Sequence, residues 1–161
     1  MTALDLNMGY YNIRLSPASQ DMKTIVTESV KFKYNCLPMG MYACGDIFQA
    51  KLDKLLGDIE GVKKYINDIL VLGKDSFENY IYQMIMIYSR LCASGLKVNA
   101  SKHSFGLKNI PYLGYVITRE GIKPDPKKLQ GIMDFGRPYT TNKARSLIVM
   151  VQYYRYMCPS Q

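Results

Sequence analysis

Two acids set inside apolar runs constrain this chain more than any other feature. Thr2 to Leu6 is a strand-like stretch with Asp5 at its centre. Val62 to Leu72 places Tyr65-Ile66 and Ile69-Leu70-Val71-Leu72 on either side of Asn67-Asp68. Asx residues tolerate tight turns, so this run predicts a β-hairpin with the polar pair at its tip. Between the two acids, Asp46 caps a predicted helix over 46–59, with Ile47, Phe48, Leu52, Leu55, Leu56 and Ile59 at helical spacing. A second helix is predicted over 76–94. It opens on the capping-box-like Asp75-Ser-Phe-Glu78, carries Tyr80, Ile81, Met84, Tyr88 and Leu91, and stops at Gly95. Pro111 to Thr118 reads as one more strand, with 112–117 as its core.

The order strand, helix, hairpin, helix, strand is that of an α+β fold with a split βαβ (ferredoxin-like) core, an antiparallel sheet packed on helices. In that topology the first and third strands are central neighbours. Asp5 and the hairpin tip therefore come side by side at one end of the sheet. Two carboxylates so placed repel unless a cation lies between them. Hard oxygen ligands suit Mg²⁺, and paired carboxylates of this kind serve in-line phosphoryl displacement in two-metal sites. The alternative is that Asp5 and Asp68 are strand-end and turn acids that simply face water.

The remaining segments are less informative. Tyr10 to Leu15 alternates like a strand, Ser16 to Asp21 reads as a loop, and Thr24–Thr27 and Lys31–Tyr34 look like two further strands. Gly121 to Pro126 reads as a linker, and a helical segment, broken around Gly136-Arg-Pro138, fills the C-terminus. Charge is uneven along the chain. From Ile122 onward seven basic residues oppose Asp125 and Asp134, a net +5 of the chain's +8. A basic surface attracts polyanions, of which nucleic acid is the commonest. Cys36, Cys44, Cys92 and Cys158 lie far apart, and His103 is the only histidine. That pattern argues against a zinc site or a disulfide framework and fits an intracellular protein with reduced cysteines. There is no secretory start, and the longest uncharged apolar run is too short for a bilayer.

A family resemblance joins these segments. Leu4-Asp-Leu-Asn-Met-Gly-Tyr-Tyr-Asn-Ile-Arg-Leu15, Leu37-Pro-Met-Gly-Met41 with Asp46-Ile-Phe-Gln49, Tyr65-Ile-Asn-Asp-Ile-Leu70, Gly95-Leu-Lys-Val-Asn-Ala-Ser-Lys102 and Tyr112-Leu-Gly-Tyr-Val-Ile117 occur in order over nearly the whole chain. Together they resemble the reverse transcriptase of gypsy-type LTR retrotransposons. The resemblance implies a polymerase palm over 1–118, then a linker and the start of a thumb or connection over 119–161. It implies RNA- or DNA-templated DNA synthesis by two-metal nucleotidyl transfer, with template-primer and dNTP as partners and Mg²⁺ or Mn²⁺ as cofactor.

The implied roles fall on particular residues. Asp5 and Asp68 match metal ligands. Leu6, Tyr10, Pro38, Met39 and Gly40 match the nucleotide-binding segments, with Tyr10 as the aromatic that excludes a ribose 2′-hydroxyl. Lys102 matches a lysine near the pyrophosphate leaving group, where a cation or general acid helps. Tyr112, Leu113, Gly114 and Tyr115 match the strand that contacts the primer.

Three departures qualify the resemblance. Asn67 stands where the family's hairpin carries its first aspartate, so a site built for three carboxylates keeps two. With each ~1.4 kcal/mol worth tenfold in rate, loss of a charged ligand predicts weakened metal binding and activity down on the order of 10²-fold or more. Gly45 stands where proline is frequent and loosens the start of its helix. Only four residues precede Asp5, so the fingers segment is expected to be truncated. An alternative is therefore a non-catalytic retroelement relic, or a domesticated palm that binds nucleic acid through its basic C-terminal third. Ile25, Val26 and the Tyr153-Tyr154 pair are expected to expose apolar surface.

Overall fold

A computed structural model describes residues 1–74 and 76–157. Asp75 of the predicted capping box, Cys158 and Ser160-Gln161 lie outside the described residues. The chain divides into two units, Met1–Leu107 and Lys108–Gln161. The Tyr112–Tyr115 segment belongs to the second unit.

The first unit contains β1 (Thr2–Asn7), α1 (Pro17–Asp21), β2 (Thr24–Val26), β3 (Lys31–Lys33), α2 (Cys44–Leu56), β4 (Val62–Tyr65), β5 (Asp68–Val71), α3 (Phe77–Ala93) and β6 (Lys97–Val98). Its main sheet is antiparallel, in the order β4-β5-β1-β6. This is the split βαβ arrangement, with β1 and β5 central.

One face of the sheet carries the core. Leu4, Leu6, Ile69 and Val71 point from the strands into a cluster with Phe48, Leu52 and Leu56 of α2 and Tyr80, Met84, Ile87 and Leu91 of α3. The spacings in both helices are those of one helical face, which is why these residues share a side. Side chains alternate along a strand, so Asp5 and Asp68 belong to the opposite face. Arg90 near the end of α3 ties the helices together. It donates to the Leu55 carbonyl at 2.9 Å and makes a forked pair with the Asp58 carboxylate.

Several elements differ from the sequence expectation. The fourth strand of the sheet is Lys97–Val98, immediately after α3, and not 112–117. Its two residues pair with Asn7 and Leu6, so this strand exists only through its partner. The alternating Tyr10–Leu15 segment is not a strand. Met8 turns left-handed at φ 51°, and Gly9–Asn12 forms a 3-10 turn closed by Tyr11 N–H to Met8 O (3.1 Å) and Ile13 N–H to Tyr10 O (3.0 Å). Only Arg14 keeps an extended bridge, to Cys36.

Two more differences concern helix starts. The 16–21 loop is the short helix α1, capped by Ser16, whose hydroxyl accepts from Ser19 N–H. Asp46 is not the cap of α2, which begins at Cys44 and holds Asp46 within its first turn. At α3 the cap is Ser76, whose hydroxyl accepts from Asn79 N–H at 3.1 Å. The β2–β3 pair matches the two predicted strands and leaves Ile25, Val26 and Phe32 exposed.

The second unit holds β7 (Ile110–Tyr112), β8 (Tyr115–Thr118), β9 (Gly121–Pro124), α4 (Pro126–Met133) and α5 (Thr141–Tyr153). The single strand expected over 111–118 is a hairpin, because Leu113 (φ 45°) and Gly114 (φ 73°) both turn left-handed. The expected linker is β9, which pairs with β8 from Tyr115↔Pro124 to Thr118↔Gly121. Asp125 caps α4 and Thr140 caps α5, each through its side-chain oxygen. Among the described residues Cys36, Cys44 and Cys92 are free, and no helix is long and apolar enough to cross a membrane.

Candidate functional site

Register, rather than the loop alone, builds the site. The hairpin turns on Ile66 and Asn67, one residue earlier than expected, and Asp68 is the first residue of β5. Asp68 is the direct partner of Asp5 on β1 and of Tyr65 on β4. Direct partners in an antiparallel pair lie about 4.5–5.5 Å apart at Cα and present their side chains to the same face. The two carboxylates thus share one end of the sheet, on the face away from the helices.

The electrostatics follow from that placement. Burial and the neighbouring Asp5 charge push the Asp68 carboxyl above the ordinary aspartate range, and Lys102 partly offsets them. The Lys102 ammonium lies 3.4 Å from Asp5 Oδ2. Its position is set by the 3-10 turn Ala100–Lys102, itself opened by Asn99, whose backbone N–H donates to Asp5 O at 2.8 Å. One residue thus bonds β1 at Asp5 and launches the turn that delivers a cation to the Asp5 side chain.

Asn67 has a different environment. Its backbone carbonyl accepts from Leu6 N–H at 2.8 Å, while its side-chain Oδ1 is buried without a hydrogen-bond partner. That oxygen faces Gly9, where an added Cβ would sit 3.1 Å from it and 2.5 Å from Phe48 Cζ. Gly9 is needed here for close approach. The Tyr10 ring leans on Phe48 with centroids 5.0 Å apart, and burial raises the Tyr10 pKa. Asp5, Asn67, Asp68, Lys102 and Tyr10 all lie in the first unit.

The other predicted residues are more dispersed. Leu6 sends its side chain into the core at 2 % exposure and offers a ligand only its backbone. Pro38 is buried and its carbonyl accepts from Cys44 Sγ–H at 2.8 Å, whereas Met39 and Gly40 are exposed. Tyr112, Leu113, Gly114 and Tyr115 form the β7–β8 turn in the second unit.

The sequence reading missed Gln49. Its Oε1 accepts from Ile66 N–H at 2.8 Å and its Nε2 donates to Lys64 O at 3.4 Å. Ile66 is left-handed at φ 53°, a conformation that a β-branched residue adopts only under restraint. Gln49 supplies that restraint from α2. The signal for it in the sequence is its place at the end of the Asp46-Ile-Phe-Gln49 motif.

The donor set suits a divalent cation in kind. It offers two ionisable carboxylates with hard oxygens, in a place where Asp68 already feels a repulsion that positive charge would relieve. Asn67 adds only a neutral carbonyl oxygen. Among the described residues no cluster of three or more His, Cys, Asp or Glu side chains forms.

Comparison with known proteins agrees with this fold. Residues 1–117 match the family described as "Reverse transcriptase (RNA-dependent DNA polymerase)". The Pol polyprotein of the Drosophila melanogaster transposon opus is 30% identical over 96% of this chain and 16% of its own length. That of the transposon gypsy, from the same organism, is 26% identical over 96% of this chain and 15% of its own. The chain thus spans about a sixth of the curated relatives it matches. Among solved structures, foamy viral protease–reverse transcriptase in complex with double-stranded DNA aligns with a TM-score of 0.90 at 21% identity, over 96% of this chain and 27% of that one. The complex of that protein with an RNA/DNA hybrid aligns at 0.84 and 22% identity, over 96% of this chain and 21% of that one. With nearly three quarters of its length matched to the family and the palm architecture in place, the chain belongs to the reverse transcriptases, as a domain of the kind carried by retroelement Pol polyproteins.

Proposed function

We propose that this domain performs templated DNA synthesis at the Asp5–Asp68 face, at a rate lowered on the order of 10²-fold or more by Asn67. The observation that carries the reading is the Asp5↔Asp68 register pair with Lys102 on Asp5. Asp5 and Asp68 would hold the divalent cation of the family. Bound there, it supplies Lewis-acid stabilisation of the charge that develops on the transferred phosphoryl group. Lys102, paired with the Asp5 carboxylate, presents a proton-bearing cation on the side where diphosphate leaves. Tyr10, wedged against Phe48, fills the space beside the sugar and so selects deoxynucleotides. Met39 and Gly40 offer an exposed edge to the incoming nucleotide. The Tyr112–Tyr115 turn contacts the primer backbone, and the basic residues after Ile122 hold the duplex.

A second reading is favoured by Asn67 itself: a palm that has lost catalysis and retains nucleic-acid binding through its basic C-terminal third. Primer extension separates the two. The full chain is given an RNA template annealed to a DNA primer, with Mg²⁺ or Mn²⁺, and compared with Asn67→Asp and Asp5→Asn. Synthesis that is weak in the natural chain, raised at least tenfold by Asn67→Asp and abolished by Asp5→Asn supports the first reading. An Asn67→Asp chain that binds template-primer normally yet stays inert supports the second.

A further inference from the structure

The Tyr153-Tyr154 pair at the end of α5, expected from the sequence to be bare apolar surface, reaches back to one turn with both hydroxyls. Tyr153 OH donates to Leu113 O, and Tyr154 OH donates to Gly114 O at 2.7 Å. Asp125 N–H adds a second bond to Gly114 O at 3.3 Å. Tyr115 completes the arrangement. Its ring stacks on Tyr153 with centroids 5.2 Å apart, and its hydroxyl donates to Tyr153 O at 2.9 Å. Tyr154 packs edge-on to both rings and is only 6% exposed. Lys128 Nζ lies over the Tyr153 ring, 5.4 Å from its centroid.

The turn so gripped is an unusual one. Leu113 and Gly114 are both left-handed, as a two-residue hairpin between Tyr112 and Tyr115 requires, but a leucine resists that conformation. An added Cβ at Gly114 would stand 2.7 Å from Lys128 Nζ and 3.2 Å from Tyr153 OH, so the tyrosine and lysine crowd the turn as well as bonding it. Peptide geometry then carries the argument. In a trans peptide the N–H points opposite to the C=O. Holding the Leu113 carbonyl toward Tyr153 turns the Gly114 N–H away from the tyrosine pair, where a backbone donor can meet a phosphate oxygen.

We propose that Tyr153 and Tyr154 are positioning residues for the primer-contacting turn, acting through the Leu113 and Gly114 carbonyls to aim the Gly114 amide at the primer backbone. The inference rests on the proposed primer contact of Tyr112–Tyr115, and two measurements keep the two claims apart. The first is hydrogen exchange at the Asp125 amide, whose N–H is held on Gly114 O, in the full chain without nucleic acid, for the natural chain, Tyr153→Phe, Tyr154→Phe and the double variant. Tyr139→Phe, at an 83% exposed tyrosine, is the control. Exchange is expected to quicken at least tenfold in the double variant and to stay unchanged in the control. Unchanged exchange in the double variant overturns the clamp.

The second measurement is affinity for a recessed 3′ primer-template relative to a blunt duplex of the same length. The double variant is expected to lose its preference for the recessed end roughly tenfold while keeping its blunt-duplex affinity, a split that general destabilisation does not produce. Quicker exchange with the preference intact overturns the positioning role. A natural chain with no preference for the recessed end overturns the primer contact itself and the positioning role with it, whatever the exchange shows. If the double variant does not fold, Tyr153→Phe alone decides, because Tyr153 is half-exposed.

Discussion

Restoring an acid at Asn67 should make the fold depend on divalent cation. The Asn67→Asp carboxylate would enter next to Asp68 in the chain, at a side-chain oxygen that is buried, unbonded and turned toward Gly9. At a separation of roughly 6 Å and an effective dielectric of about 20, the new carboxylate and Asp68 oppose one another by about 3 kcal/mol, the Asp5 charge being already matched by Lys102. Lys102 acts on Asp68 as well and offsets part of this. A net loss of about 2 kcal/mol at neutral pH without cation follows. For a chain of this size that lowers the melting temperature by about 4–8 °C. A cation seated among three carboxylates reverses the sign. At a concentration of about 100 Kd it returns about 2.7 kcal/mol through binding to the folded state alone.

The assay is thermal unfolding followed by circular dichroism, first in chelator and then across a Mn²⁺ titration at constant ionic strength. The natural chain should shift little and Asn67→Asp should shift by most of its deficit. The double variant Asp5→Asn, Asn67→Asp should lose the extra shift. An Asn67→Asp chain as stable as the natural one in chelator, or equal Mn²⁺ shifts in both, would refute a cation seat shared by position 67 and the two carboxylates.

Other perturbations follow from the same geometry. Asp68 titrates above the ordinary aspartate value of 3.8 in the fold, so the folded chain holds that proton more tightly than the unfolded one. Stability from this group therefore falls as pH rises through the window between 3.8 and the raised folded value, and Asp68→Asn should be the more stable chain at neutral pH, a gain that closes below 3.8 in urea titrations. Gln49→Leu leaves the Ile66 N–H without its acceptor and should cost about 1–3 kcal/mol, with hydrogen exchange quickened at the hairpin tip before the rest of the sheet. Gly45→Ala meets no atom within 4 Å and sits inside the first turn of α2, so it should raise stability by about 0.5–1 kcal/mol. A loss there in a melting experiment would show that the α2 start needs glycine.

What the sequence disclosed was what periodicity can carry. The helical face of α2 and of α3 is written in Phe48, Leu52, Leu56 and in Tyr80, Met84, Leu91, and the order of elements then brings Asp5 beside Asp68 with no further information. What stayed hidden depended on partners. Lys97 and Val98 have no strand pattern of their own and become a strand only against Leu6 and Asn7. The Tyr10–Leu15 alternation failed because a left-handed Met8 turns the chain before a strand can start. The α1 signal is present in Ser16-Pro17, a cap followed by proline at the first helical position, but Ala18 to Asp21 adds no apolar periodicity to it.

The left-handed residues link these misreadings to the site. Among the described residues, three non-glycine side chains adopt positive φ: Met8, Ile66 and Leu113. Each is bulky and apolar, and composition marks none of them as a turn residue. Each nevertheless falls inside a quoted motif, at the turns that follow Asp5, precede Asp68 and divide Tyr112 from Tyr115. A left-handed residue of this kind opposes folding by about 1–2 kcal/mol unless its surroundings over-determine it. The surroundings do so in all three places. Met8 O accepts from Tyr11 N–H and from the Asn12 side chain, Ile66 N–H is taken by Gln49, and Leu113 O is taken by Tyr153. The motifs therefore contain both the strained residue and, in Asn12 and Gln49, the side chain that holds it, while Tyr153 does the same from another segment. The residues of these blocks thus serve backbone shape as much as chemistry. The turn that carries Asn67 is held by Gln49 on the Ile66 N–H, so its shape does not depend on a carboxylate at position 67.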